Sequence, residues 1–467
     1  MTATAQAPAR TRGEDEAPGT PFFDRPLTSL HLVLVSTGLL LALGLVMVLS
    51  ASMVKSFRET GSAYSVFADQ LTFVALAVPA FWLGVRLSPR AYRGLAYPAL
   101  LLSLVLLVAV LLPGVGKNIN GAQRWLDLGP VQLQPAEVGK LALALWGADL
   151  LVRKQRLLGQ ARHLVMPLVP VAALLAALVV LEPDLGTSLC FAMVLFGLLW
   201  TVGAPARVFA ALLVLATGAV AALAVVERYR LERVLHFLDP SADPQGAGFQ
   251  PLLGLSSLSS GGWFGVGLGQ GRAKWVGLPE GHTDYIFAVI GEELGLVGGL
   301  VVLLLYATLA YSGLRVARRS AEPFARLAAA GVTVWIVGQA VLNMGYVSGL
   351  LPVTGVPLPL ISAGGTSLVV TLFALGMLAS FARAEPAAAA QLARRGRVAT
   401  LLRLPAPRAG GTRARRPLRR VDRSGDGVAG AAPRPARSAR RGATRQPRPY
   451  QPHQPRTTTV RREARRR

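Results

Sequence analysis

The chain has 467 residues, 52% of them hydrophobic and only 16% charged, where a soluble protein carries about a quarter charged. This balance excludes a soluble globular domain and points to a membrane protein. Of the net charge of +25, 19 units lie beyond residue 383, where 23 arginines face four acids, Glu385, Asp422, Asp426 and Glu463; the basicity belongs to an appendage and implies no nucleic-acid partner.

Residues 1–29 are polar and contain Pro and Gly. Their charges are too many and too mixed for a secretory signal, and no small-residue cleavage site closes the first apolar run, so that run is expected to be a retained span. Apolar runs of bilayer-crossing length, roughly 20 residues, follow at 30–52, 66–86, 92–113, 136–152, 164–182, 185–203, 206–226, 284–313, 325–349 and 360–383. They do not alternate in polarity, so helices are expected and barrel strands are not. The expected fold is an all-α polytopic membrane domain of about ten transmembrane helices over 30–383. A tail over 384–467, rich in Arg and Pro, is expected to be disordered.

Basic residues test the count. Arg86, Arg90 and Arg93, then Arg153, Lys154, Arg156 and Arg162, then Arg207, then Arg315, Arg318, Arg319 and Arg326, and finally the tail, all fall on one side if there are ten spans. That side is cytoplasmic by the positive-inside rule, with both termini on it. The opposite side receives 53–65, 114–135, the corner at 182–184, 350–359 and a large Gly/Ser-rich loop, 227–283, before the eighth helix. Ordered loops of that length are usually functional.

Polar residues in or beside apolar spans are functional candidates, and here they form four clusters toward the extracytoplasmic ends. In the first, Arg124 precedes Gln134-Pro135-Ala136-Glu137-Val138-Gly139-Lys140. Pro135 suits a first helical turn, and Glu137 and Lys140, at i,i+3, share one face. They read either as a structural ion pair or as a cation aimed at an anionic group such as a diphosphate. In the second, Glu182 and Asp184 flank Pro183. Asp184 suits an N-cap; Glu182, closing an apolar run, has no such explanation. In the third, Glu280-Gly281-His282-Thr283-Asp284 enters the eighth span, with Glu292 and Glu293 deeper and expected to orient helices or pair with a neighbour. Asp284 either caps that helix or serves as a general base at the membrane mouth, and a helix N-terminus favours its ionised form. No other His or Cys lies near His282, and with Cys190 the sole cysteine neither a disulfide within the chain nor a Cys/His metal cluster is possible. In the fourth, Ser362-Ala363-Gly364-Gly365-Thr366-Ser367 reads as a broken helix start, or as backbone N–H groups offered to an anion.

Taken in this order, the four clusters resemble the SEDS family of cell-wall glycosyltransferases, over roughly Arg25 to Arg383. The segment from Gly44 to Ser52, the run Gly267-Leu268-Gly269-Gln270-Gly271 and the basic tail resemble its actinobacterial division-type members more than its elongation-type ones. Ala363 stands where the family often has an aromatic residue, and Val276 where some relatives carry an acid.

The resemblance implies a peptidoglycan glycosyltransferase in the plasma membrane at the division septum. Its substrate would be lipid II, a disaccharide-pentapeptide on undecaprenyl diphosphate. Asp284 is implied as the essential catalytic aspartate, and Glu137 and Lys140 as residues needed for activity or for coupling to a partner. Arg124, Glu182, Asp184, Glu280, His282, Thr283, Ser362, Gly364 and Gly365 are the further candidates to line the substrate. The leaving diphosphate calls for a cation, for which Lys140, Arg124 or a bound divalent ion (Mg or Mn) are the options. The implied partner is a class B penicillin-binding protein, FtsI in division. The tail is a candidate to bind anionic membrane lipids or other division proteins. A lipid II flippase, an elongation polymerase and a non-catalytic scaffold are the rival readings.

Overall fold

The computed structural model describes residues 25–226 except 120, 128, 130 and 131, together with Asp239 and residues 243–394 except 247. Most of the segment 1–29 and of the tail, and part of the loop 227–283, therefore lie outside the described residues.

Helices stand at every expected span. They are α1 (Thr28–Thr60), α2 (Ser65–Arg86), α3 (Pro89–Leu111), α4 (Pro135–Arg153), the broken pair α5 (Ala161–Val165) and α6 (Leu168–Leu181), α7 (Leu185–Val202) and α8 (Ala206–Val226). After the large loop come α9 (Phe249–Ser260), the single turn α10 (Ala273–Val276), α11 (Ile286–Arg319), α12 (Pro323–Val347), α13 (Thr366–Arg383) and α14 (Pro386–Arg394). Eight are long and apolar enough to cross a bilayer, with α5 and α6 taken together. The fourth position, α4, carries Glu137, Lys140, Asp149 and Arg153 in 19 residues, and the seventh is apolar over Ala206–Ala219.

The charges in α4 are tolerated because protein, not lipid, surrounds them. Every residue from Gly139 to Leu151 is buried, and α4 packs against α3, α7 and α12. At its far end Asp149, with no exposure, takes Arg93 Nε at 2.6 Å and Arg153 Nε at 2.5 Å. A helix apolar on the outside and paired on the inside is how a bilayer protein accommodates ionised groups. By contrast α1, α2, α3 and α11 leave leucines and valines exposed along one side, as lipid-facing helices do.

The structure corrects several expected boundaries. The helical membrane fold stands, but the loop after α3 holds a small three-stranded antiparallel sheet, β1 (Gly116–Ile119), β2 (Ala122–Asp127) and β3 (Gln132–Leu133), in the order β1-β2-β3. Helix α1 runs beyond the apolar stretch to Thr60, and Gly61, at φ 73°, ends it; such a left-handed cap favours glycine. Thus 53–60, expected as loop, is helix. Pro167 separates α5 from α6, since proline cannot donate to the turn before it. The helix expected from residue 360 starts only at Thr366, and 351–365 is non-helical. The tail expected to be disordered from 384 begins as α14.

Candidate active site

Asp284 lies one residue before the cap of α11. Tyr285, not Asp284, occupies the N-cap position, and the Tyr285 side chain makes no capping bond. What fixes Asp284 is its main chain. The amide of Asn343 donates to the Asp284 carbonyl at 2.9 Å, and the Tyr346 hydroxyl does the same at 2.9 Å. The Asn343 amide also donates to the Val356 carbonyl at 2.8 Å, and that carbonyl lies 2.9 Å from the Tyr346 hydroxyl, whose single proton it shares with the Asp284 carbonyl. Two side chains one turn apart on α12 thus clamp the aspartate to the non-helical segment 351–365. The half-buried Asp284 carboxylate faces Gly355, whose φ of 68° needs glycine and where an added Cβ would lie 3.5 Å from Oδ2.

The rest of the third cluster shapes this loop. Thr283 Oγ1 donates to Glu280 Oε2 at 2.7 Å, and Tyr285 N to Glu280 O at 3.0 Å. His282 is buried and its carbonyl accepts from Ala363 N at 2.9 Å. Burial, then the charge of Lys55, push its imidazole below the usual range, which keeps it neutral near pH 7. Ser362 Oγ donates to Thr283 O at 2.6 Å and accepts from Leu358 N at 2.8 Å. Segments 278–285 and 358–363 are therefore stitched into one unit.

At Gly364 the anion-binding expectation is corrected. Gly364 N–H donates to the buried Gln70 Oε1 at 3.1 Å, so it does not point at a ligand. Gly365 is the N-cap position of α13, packed against the Phe73 ring.

The second cluster meets the same segment. Asp184 caps α7 as its position suggests: Thr187 N and Oγ1 donate to it at 3.0 and 2.8 Å. An added Cβ on Gly186 would strike the Thr354 carbonyl, so the corner sits one residue from the glycine that faces Asp284. Arg124 on β2 donates through Nε to Glu182 O at 3.1 Å, also donates to Pro183 O, and holds Nη1 3.9 Å from Asp184 Oδ2. Its side chain remains 31% exposed, which lets it meet a ligand while fixed to the corner. The Glu182 carboxyl is enclosed, neither oxygen has a hydrogen-bond partner, and burial, with Asp184 beside it, pushes its pKa up to about 8.

The first cluster resolves into support. Lys140 Nζ donates to Glu137 Oε1 at 2.8 Å and to Gln339 Oε1 at 3.0 Å, with no exposure. It is enclosed, so the expectation that it meets a diphosphate is corrected; of the two cations in this cluster, Arg124 reaches the surface. The other end of the Gln339 amide donates to Pro357 O at 3.0 Å, and Trp335 Nε1 donates to Gln339 Oε1 at 3.0 Å. The ion pair therefore steadies the segment that carries Gly355. Asn343, Tyr346 and Gln339 were missed in the sequence, although Gln339 and Asn343 (i,i+4 within an apolar span) are the same kind of signal that marked Lys140. Among the described residues no three His, Cys, Asp or Glu side chains cluster as a metal cage, and no step is assigned to the divalent ion considered above.

The profile of the FtsW/RodA/SpoVE cell cycle protein family matches residues 30–386. The probable peptidoglycan glycosyltransferase FtsW of Mycobacterium tuberculosis H37Rv is 46% identical over 385 residues, 82% of this chain and 74% of that one. The protein of the same name from Halorhodospira halophila is 43% identical over 346 residues, 72% and 86% of the two chains. Among solved structures, a chain of a peptidoglycan synthase complex that coordinates polymerization and crosslinking has a TM-score of 0.62 at 31% identity, covering 76% of this chain and 97% of that one. The rod shape determining protein RodA of Thermus thermophilus has a TM-score of 0.56 at 31% identity, covering 76% and 96%. With this much of its length matched, the chain belongs to the FtsW/RodA/SpoVE family.

Proposed function

We propose that this chain is a peptidoglycan glycosyltransferase that polymerises lipid II at the division septum, with Asp284 as its general base. The observation that carries the reading is the clamped, half-buried carboxylate of Asp284 over the Gly355 turn, with the exposed edge of Arg124 held at the adjoining corner. The names of the relatives support the reaction class, and the positive-inside rule supports placing the site outside the cell with ten spans and both termini inside.

Asp284 accepts the proton of the acceptor sugar hydroxyl as that oxygen bonds to the donor's anomeric carbon. The bond from that carbon to the diphosphate breaks, and the electron pair leaves with the undecaprenyl diphosphate. Arg124 faces the developing negative charge. An α-linked donor and a β-linked product require one inverting displacement and no covalent enzyme intermediate. A class B penicillin-binding protein is the partner this reading requires for cross-linking.

The test is polymerisation of purified lipid II by the full chain with a cognate class B penicillin-binding protein made inactive in transpeptidation. Polymer from wild type and none from a folded Asp284→Ala protein is the expected outcome. Equal polymer from both removes Asp284 from the chemistry. Failure of both, in a folded complex, removes the glycosyltransferase reading.

A further inference from the structure

We infer that residues 261–270 form a wedge seated in the outer leaflet, at the boundary between lipid glycerol and acyl chains. Four observations converge. First, no charged residue occurs between Gly261 and Gly271, while Trp263 and Phe264 are 71% and 82% exposed and Val266 and Leu268 are exposed beside them. A contiguous exposed apolar patch of this kind marks an interaction surface.

Second, the wedge continues a lipid-facing surface. Helix α11 is interrupted at Gly295 (φ 66°, ψ −165°), and beyond the interruption Leu296, Val297, Leu300 and Leu304 are exposed. Leu296 N and Val297 N donate to Gly262 O and Trp263 O at 2.9 and 3.1 Å. Amides that a helix start leaves without partners are therefore met by the wedge itself, which places Trp263 beside the first lipid-facing turn.

Third, the depth agrees. From Leu296 to Arg318 in the last turn is a rise of about 33 Å at 1.5 Å per residue, close to the roughly 30 Å hydrocarbon thickness. With the basic turn at the cytoplasmic face, the aromatic pair stands at the opposite interface, where such rings concentrate.

Fourth, three backbone amides of the wedge are turned inward. Val266 N and Gly267 N donate to Glu292 O and Glu293 O at 3.0 and 3.1 Å, and Gly269 N to Glu293 Oε2 at 3.0 Å. Glu293 also takes Lys274 Nζ at 2.9 Å and Ser50 Oγ at 2.6 Å. Irregular backbone persists at membrane depth only when satisfied in this way. The Ile286–Leu294 part of α11 leads back from the wedge to Asp284, so the wedge fixes the height of the site over the bilayer.

The inference does not depend on the glycosyltransferase reading. It is tested with a nitroxide on Phe264→Cys, Cys190 being buried and the sole native cysteine. The full chain is reconstituted in vesicles of phosphatidylethanolamine and phosphatidylglycerol. Collision with oxygen and with a water-soluble nickel chelate is compared with labels at Leu300→Cys and at Lys117→Cys on the sheet. The expected result is oxygen-dominated collision as at Leu300→Cys; Leu268→Cys serves if the first variant does not fold. Nickel-dominated collision as at Lys117→Cys overturns the inference. Shielding from both reagents, alone or with a class B penicillin-binding protein, marks a protein seat and overturns it equally.

Discussion

The side chain of Asn343 joins Asp284 to Val356: one amide nitrogen donates to both carbonyls, at 2.9 and 2.8 Å. Neither residue is near Asn343 in sequence, so one group on α12 sets the distance between the aspartate and the segment it faces. Replacing it with Leu leaves two carbonyls short of a donor, at a cost of about 1–3 kcal/mol for a buried group. It also frees Asp284 to shift, and an ångström of misplacement costs on the order of 10²-fold in rate. Asn343→Leu should therefore lower kcat strongly while KM changes little. Tyr346→Phe, which keeps the Asn343 bonds, should do so more mildly. Equal kcat in all three proteins would remove Asn343 from positioning.

Asp284→Asn keeps the size and the main-chain bonds of the site but removes the base. Since the bonds that hold Asp284 in place go to its carbonyl, melting should shift little. Polymerisation should fall by about 10²–10⁴-fold, the usual worth of general-base catalysis. A large melting shift with proportionate loss of activity would instead make Asp284 structural.

Much of this is legible in the sequence, and what is not has physical causes. The apolar runs fixed where helices would stand, because the bilayer leaves few alternatives. The Glu137–Lys140 pair and the Asp184 cap depend on spacings of three residues, which one helix determines by itself. What Lys140 does was not legible, because its second partner, Gln339, lies 199 residues away. Asp284 falls one residue outside the N-cap position because the helix begins later than polarity suggests, a boundary that local sequence sets only loosely. The short strands of 116–133 carry too few residues for alternation to show. The break at Gly295 follows Glu292 and Glu293, yet no local signal separates this glycine from Gly291, Gly298 and Gly299, which stay helical.

Lys140→Met tests the supporting role of the ion pair. It leaves Glu137 charged in an enclosed site, and breaking a buried pair costs about 3–5 kcal/mol. The double variant Glu137→Gln/Lys140→Met removes both charges and should recover much of that stability. Polymerisation by the double variant should stay below wild type, because Gln339 loses its charged donor, keeping only Trp335 Nε1, and the Pro357 turn is braced less firmly. Full activity in the double variant would confine the pair to stability alone.

Glu182 gives a pH dependence of defined sign. Burial raises its pKa in the folded chain from 4.5 to about 8. Below about 4.5 both folded and unfolded chains hold the proton, and no difference arises. Between about 4.5 and about 8 the unfolded chain ionises while the folded one does not, so stability falls as pH rises through that window and levels off above it. Glu385, pushed up to about 7 by burial, adds a slope of the same sign, so the difference between two proteins is what reports on Glu182. Glu182→Gln should melt like wild type at about pH 4.5 and increasingly above it toward about pH 8. Arg124 is held at this corner by main-chain carbonyls, so the variant should retain its polymerase activity. A melting difference that does not change with pH would mean that Glu182 is ionised in the folded protein, with Arg124 neutralising it. Its removal would then free Arg124 and weaken binding of the diphosphate substrate, an outcome a rise in KM would report.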